Sequence, residues 1–241
     1  MKNQTDPKNH NWDNEWEKYN QAPYFKPNQK VISVITHLLN FDLTGKKILE
    51  LGVGSGCDIV SLATMGARTY GLDFSPKSLQ SVKYWAKNKK AKVNLIQADI
   101  SQLKLPKNSF DIVYSVGLME HFVDLIPLLK KQLDIVKLGG YLLIDIPQKY
   151  TLYTLAKHWR MNHGTHPFGW ETEFSKSDLE QIATQLYQKP YLIYGRESDI
   201  IDKLSYYLGT NQLKNTFLAM IENSFLAPHV CLCIGLVIKK A

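Results

Sequence analysis

The chain has 241 residues, 44% of them hydrophobic, enough for one sizeable core and well within range of a doubly wound sheet. Its formal net charge of +7 admits nucleic acid, an anionic membrane surface or an acidic substrate as partner without choosing among them, because the lysines are spread through the chain. Cys57, Cys231 and Cys233, with no CxxC pair, argue against a disulfide framework or a zinc site and fit a reducing compartment.

Residues 1–18 lack the apolar core of a signal peptide, and the longest apolar stretch, 230–238, is far too short to cross a bilayer. The expectation is a cytoplasmic protein without a membrane span. Residues 1–27 are polar but carry Trp12, Trp16, Tyr19, Tyr24 and Phe25, which argues against full disorder of the second half. Val31, Ile32, Val34, Ile35, Leu38 and Leu39 keep helical spacing and predict an amphipathic helix over 28–40. A short apolar run at 47–51 reads as a buried strand, and Gly52, Gly54 and Gly56 follow as a turn. A helix over 57–66 and a strand over 68–73 come next. Ser75-Pro76 reads as an N-cap and first-turn proline of a helix to about Lys89. The lysine cluster at 87–92 then lies at that helix's end, where cations complement the dipole. Strands over 93–97 and 110–115, a helix over 122–136, and a turn at Gly139-Gly140 into a strand over 141–146 complete the alternation. Strands alternating with helices imply a parallel sheet with helices on both faces.

The pattern then loosens. Residues 147–175 are rich in aromatics and histidine without a clear period. Ser177 and Glu180 read as a capping box for a helix to about Tyr187. Strands are expected at 191–194 and 229–239. The stretch 199–225 between them looks helical, with Ile200, Ile201, Leu204, Leu208, Leu213, Phe217, Leu218 and Ile221 on one face. No internal repeat, low-complexity tract or linker interrupts the chain. The simplest organisation is a single domain: an aromatic segment 1–27, a core 28–146, substrate-side segments with a helical insertion at 147–228, and a last strand in 229–241.

The glycine turn and the Asp73 carboxylate, 21 residues after Gly52, together suit a ligand that carries a ribose. A phosphate-binding loop needs GxxxxGK[ST], which is absent. A dinucleotide turn places its third glycine where Cys57 stands; here that glycine comes one residue early and leaves a more open turn, without a pyrophosphate to hold at the helix N-terminus. Glu50, beside the turn, would repel phosphates but suits a sulfonium or an amino group.

ILELGVGSG, GLDFS, QADI, FDIVYSVGLMEHF and LGGYLLIDIP, in this order and spacing, resemble the motif series of class I S-adenosylmethionine (SAM)-dependent methyltransferases. The resemblance spans roughly residues 28–146. It implies a Rossmann-like doubly wound α/β sheet of seven strands, mostly parallel with an antiparallel last strand, with helices on both faces and SAM as methyl donor. It also implies that Glu50, Gly52, Gly54 and Gly56 line the methionine part of SAM. Asp73 would accept from the ribose hydroxyls, Phe74 would pack beside the adenine, Asp99 would take the adenine amine, and the Ile100 N–H would meet a ring nitrogen. The backbone from Ser115 to Gly117 would face the SAM amino group. Other readings stand beside these. Asp99 can equally cap a turn at Ser101, Phe74 can belong to the core, and the cysteines read as small buried hydrophobes. Asp73 is a poorer candidate for a helix cap, because Ser75 fills that role.

Methyl transfer from an activated sulfonium needs proximity and alignment, and a base only where the acceptor holds its proton. His121, just past the fourth strand, is the candidate base; its other reading is a helix-start residue bonded to backbone. Glu120-His121 resembles the ExxEH of metal-bearing methyltransferases, but Gly117 stands where the first acid would be, so no metal is expected. His158, His163 and His166, with Trp170, Glu171 and Glu173, form either a substrate-recognition segment or a packed aromatic loop. The N-terminal aromatics form either a lid over the cofactor or a cover on the sheet. No acidic or Asn-Pro-Pro-aromatic motif follows the fourth strand, no cysteine lies near the transfer zone, and no RNA-binding module is visible. A small-molecule acceptor is therefore favoured. RNA remains the alternative within the enzyme class, and a non-catalytic SAM- or nucleotide-binding protein the alternative outside it.

Overall fold

The computed structural model describes residues 11–21, 23–165, 171–186, 191–196, 220 and 224–241. Two helices, α1 (Trp12–Gln21) and α2 (Gln29–Leu38), precede the alternation β1 (Lys47–Leu51), α3 (Cys57–Thr64), β2 (Arg68–Asp73), α4 (Pro76–Asn88) and β3 (Val93–Gln97). After a 3-10 turn at Ile100–Gln102 come β4 (Phe110–Val116), a second 3-10 turn at Met119–His121, α5 (Leu125–Ile135) and β5 (Val136–Pro147). Helices α6 (Leu152–Asn162) and α7 (Lys176–Gln185), strand β6 (Tyr191–Arg196), the short α8 (Ala227–Val230) and β7 (Cys233–Lys239) complete the described elements. The strands form one sheet in the order β3-β2-β1-β4-β5-β7-β6. β1 runs parallel to β2 and β4, and β2 parallel to β3, whereas β6 and β7 are antiparallel. This is the Rossmann-like, mostly parallel sheet that the motif series implies.

The described chain divides into two compact units. The first comprises 11–116, 126–143 and 239–241. The second comprises 117–125 and the described part of 144–238. In the first, Ile48, Leu49 and Leu51 of β1, Ile112 and Val113 of β4, Val31 and Ile35 of α2 and Ile59, Val60 and Leu62 of α3 are buried. These strands are apolar on both faces, as parallel strands covered by helices must be. In the second, Leu179 and Ala183 of α7, Ile234 and Leu236 of β7 and Tyr194 of β6 are buried.

Several boundaries depart from the sequence reading for local reasons. β5 begins at Val136 and runs through Gly139 and Gly140, so these glycines do not turn the chain into the strand. Gly139 N–H donates to Lys240 O, and Lys240 N–H to Gly140 O, each at 2.9 Å. A Cβ on Gly140 would stand 2.7 Å from the Asp111 carbonyl oxygen, which is why a glycine suits the strand there. The capping box at α7 is Ser175 with Asp178, two residues before the expected pair: the Ser175 hydroxyl accepts from Asp178 N–H, and the Asp178 carboxylate accepts from Ser175 N–H. Helix α6 lies in a stretch without apolar period because its faces are inverted. It buries Thr154 and Lys157 and exposes Leu152, Leu155 and Trp159. The last strand starts at Cys233 rather than residue 229, behind the proline-bearing α8. The helix expected over 199–225 lies outside the described residues, apart from Met220, Ser224 and Phe225.

Candidate functional site

In the first unit, β1 delivers the chain into the glycine turn. Gly52, Gly54 and Gly56 all have left-handed φ, +69°, +49° and +76°, where side-chain-bearing residues are strained. Space restricts two of them further. A Cβ on Gly56 would lie 2.6 Å from Val82 Cγ2, and one on Gly54 would lie 2.7 Å from Trp16 Cη2. Asp73, at the end of β2, is 6% exposed and fastens this turn to α4. Its Oδ2 accepts from Gly54 N–H at 3.2 Å and from the Ser78 hydroxyl at 2.8 Å, while Oδ1 accepts from Ser75 N–H at 2.9 Å. Burial pushes the Asp73 carboxyl up, and these donors pull it back.

Glu50 lies deeper. Burial first, and the nearby Asp58 charge second, raise its carboxyl well above the usual range, against the pull of the Tyr114 hydroxyl and the Ile59 backbone. Tyr114 lies near enough to favour the carboxylate. Even so, Glu50 Oε2 and the Tyr114 hydroxyl are buried without a hydrogen bond of normal geometry among the described residues. The hydroxyl of Ser115, fully buried at the end of β4, is in the same position. An acidic group with an unsatisfied oxygen beside bare glycine backbone fits a ligand that carries positive charge and donors.

The remaining positions of this unit sort themselves by contact. Phe74 is 41% exposed, so it is not a core residue. Asp99 Oδ1 accepts from both the N–H and the hydroxyl of Ser101, at 2.8 and 2.7 Å, and so caps the turn that buries Ile100. Cys57 is buried. Helix α1 has no buried residue of its own, yet it docks on α4 and the turn. The Ser75 hydroxyl donates to Asp13, Asn20 Nδ2 donates to Lys77 O at 3.0 Å, and Lys77 pairs with Glu17 at 3.1 Å. Trp16 thereby rests against Gly54. The aromatic segment covers the glycine turn, a placement the sequence left open between lid and sheet cover.

In the second unit, Gly117 (φ +63°) donates its N–H to Asp145 O at 2.9 Å. Glu120 and His121 follow on the 3-10 turn, and both are buried. Around them stands a set of charges of which sequence reasoning had singled out only Glu171 and Glu173. Lys157, fully buried, pairs with Glu171 at 2.8 Å and Glu173 at 2.6 Å. Asp145 accepts from Tyr194 at 2.9 Å and from Arg196 Nε and Nη2 at 3.0 and 2.8 Å. Glu120 is pushed up to about 8, chiefly by burial, then by the Glu171 and Asp145 charges, with Lys157 opposing. His158 reaches Glu173 at 3.0 Å, whereas His163 turns back to Trp159 O at 2.7 Å, so these two histidines do not converge. His166 and Trp170 lie outside the described residues. One signal of this cluster was readable: an aspartate inside the apolar run LLIDI needs a buried partner.

Residues 49–144 match a sequence family described as a methyltransferase domain. A ubiquinone biosynthesis O-methyltransferase of Nitrosospira multiformis is 25% identical over 186 residues, covering 73% of this chain and 76% of the relative. Among solved structures, a phosphoethanolamine N-methyltransferase of Haemonchus contortus in complex with S-adenosyl-L-methionine has TM-score 0.65 at 20% identity. That match covers 95% of this chain and 57% of the other. A SAM-dependent methyltransferase of Archaeoglobus fulgidus has TM-score 0.60 at 18% identity, covering 88% and 94%. At these identities the two structures speak for the fold.

Proposed function

We propose that this chain, which belongs to the class I SAM-dependent methyltransferases, transfers the methyl group of SAM to an oxygen of a small-molecule acceptor. The observation that carries the donor half is the turn at Gly54, left-handed at its three glycines and fastened to Asp73. The O-methyltransferase relatives support the choice of oxygen. The sulfonium supplies an already activated methyl group, so the chain has to bind, align and exclude water. Glu50 contributes a carboxyl for the positive end of the donor. Asp73 contributes lone pairs for the ribose hydroxyls, and the exposed ring of Phe74 a face for the adenine. Asp99 and the Ile100 N–H are assigned to the adenine edge, and the backbone from Ser115 to Gly117 to the amino group. Helix α1, with Trp16 on the turn, is assigned as the cover of the donor site. An acceptor hydroxyl must lose its proton, and His121 is assigned to take it.

Calorimetric titration tests the donor half. SAM and S-adenosylhomocysteine are expected to bind, and Asp73→Ala to weaken both about 10- to 100-fold, because buried donors lose a charged partner. Tight NAD binding with no response to SAM would overturn the reading. Incubation with methyl-labelled SAM and either a metabolite pool or RNA tests the acceptor half, with label expected in low-mass ethers. Label confined to RNA would transfer the assignment to nucleic acid. For His121→Ala, a rate loss of about 10²–10⁴-fold supports the base, and unchanged turnover removes that role.

A further inference from the structure

The first unit has a second concave surface, at the opposite end of its strands from the glycine turn. Leu38 and Leu39 at the end of α2, Lys46 ahead of β1, Asp111 of β4 and Lys137 and Leu138 of β5 line a groove of about 290 Å³. Pockets for drug-sized ligands run from about 300 to 1,000 Å³, so this one suits a protruding side chain better than a cofactor. A Cβ on Gly139, also in the lining, would meet nothing within 4 Å, so the groove opens outward there. Beside it the chain pushes apolar surface out. Asn40 takes the left-handed φ (+52°) that often ends a helix, but Phe41 repeats it (+60°), where a bulky residue is strained. The Phe41 N–H donates to Thr36 O at 2.8 Å, and its ring stands edge-on to His37 at 4.7 Å, 70% exposed. Leu138 is 71% exposed. Strained residues persist where their surroundings or a function require them.

Two charges lie close to the ring in sequence, Asp42 next to it and Lys46 four residues beyond Asp42. They stand within electrostatic reach of each other yet make no ion pair among the described residues. Asp111, by contrast, is already taken up by Lys137 and by the Lys47 N–H, both at 2.8 Å. One patch thus carries a knob and a hole, an acid and a base, side by side. A two-fold interface requires this, because the same surface must serve both partners. We propose that the occupant of the groove is a second copy of this chain, with Phe41 of each copy entering the groove of the other and Asp42 of each meeting Lys46 of the other. Phe41 and Leu138 from both copies supply the apolar centre, and the charges at its rim fix the register. The five residues of β1 put the glycine turn roughly 15 Å from the groove, so both candidate donor sites stay open in the pair. The pairing is independent of what the turn binds.

Sedimentation equilibrium of the full chain tests this. Between about 1 and 100 μM, the mass is expected to rise from 27.6 kDa toward twice that value. Phe41→Ser, at an exposed position, should weaken the association about tenfold or more while leaving the far-ultraviolet spectrum unchanged. Asp42→Lys and Lys46→Asp each set like charges face to face, and each variant alone is expected to stay at 27.6 kDa. Mixed in equal amounts, the two should associate again, because each altered charge then faces its opposite on the other chain. A single-chain mass across the whole range overturns the proposal and leaves the groove to some other ligand. So does association that Phe41→Ser leaves unchanged, or a mixture no more associated than its two components.

Discussion

The two units are stabilised by different means. The first holds its site with backbone: three left-handed glycines, strand ends, and one carboxylate that accepts from two N–H groups and a hydroxyl. The second holds its site with ions, which the fold gathers from distant places. Lys157 meets Glu171 across 14 residues, and Arg196 meets Asp145 across 51. A site made of backbone geometry tolerates little change in shape, whereas a site made of buried ions tolerates little change in charge. Substitutions should therefore separate the units by type rather than by position.

The largest effect is expected at Lys157. Lys157→Met leaves Glu171 and Glu173 without their shared cation, and urea unfolding at pH 7 should show a loss of about 3–5 kcal/mol. Adding Glu171→Gln and Glu173→Gln should restore most of it. A loss below about 1 kcal/mol would mean that ions do not hold this unit. Next comes Glu120, whose carboxyl is raised to about 8 in the folded chain against its ordinary value of 4.5. Below pH 4.5 both folded and unfolded chains carry the proton, so its contribution is fully present there. Between pH 4.5 and 8 the unfolded chain loses the proton first, and stability falls until the folded carboxyl also ionises. Glu120→Gln should therefore match the native protein near pH 4 and exceed it at pH 9, by on the order of 2 kcal/mol in unfolding experiments. Equal curves at both pH values would remove the burial argument.

In the first unit, shape should dominate. Gly56→Ala forces a Cβ to 2.6 Å from Val82 Cγ2 and 2.9 Å from Val82 Cα at a left-handed φ. A loss of about 1–3 kcal/mol is expected, with weaker SAM binding by calorimetry. Val82→Ala should recover only part, because one of the two contacts is backbone. The smallest effect is expected at one of the first unit's exposed lysine ion pairs. Lys77 and Glu17 are 34% and 53% exposed, and Lys77→Met should change stability by less than about 1 kcal/mol. A large loss there would erase the contrast with Lys157.

The same contrast explains what the sequence made legible. The strands from β1 to β4 and the turn at 52–56 were readable because each requirement is local: an apolar run, a left-handed φ, a carboxylate at a strand end. Ser75 as N-cap of α4 was readable for the same reason. Helix α6 was not, because it buries Thr154 and Lys157 and turns Leu152, Leu155 and Trp159 outward, against the rule that apolar period marks the buried face. The ion cluster was not, because no spacing rule links residues 145, 157, 171 and 196. The capping box was displaced by two residues because serines at 175 and 177 both have an acid three positions on, and Ser175 is the one that starts the helix. For Asp99 the cap at Ser101, one of its two readings in the sequence, is realised.

The contact between Trp16 and Gly54 has an optical consequence. An indole emits according to its surroundings, and this one rests on the turn assigned to the donor, with the Tyr19 ring 6.1 Å from it. The chain has five tryptophans. If the other four are replaced by phenylalanine, the emission of Trp16 alone follows the turn, and a stopped-flow trace on mixing with SAM gives the rate at which the surroundings of this ring change. The protein thus carries its own spectroscopic label at its candidate donor site, and no dye has to be attached to time the entry of a ligand.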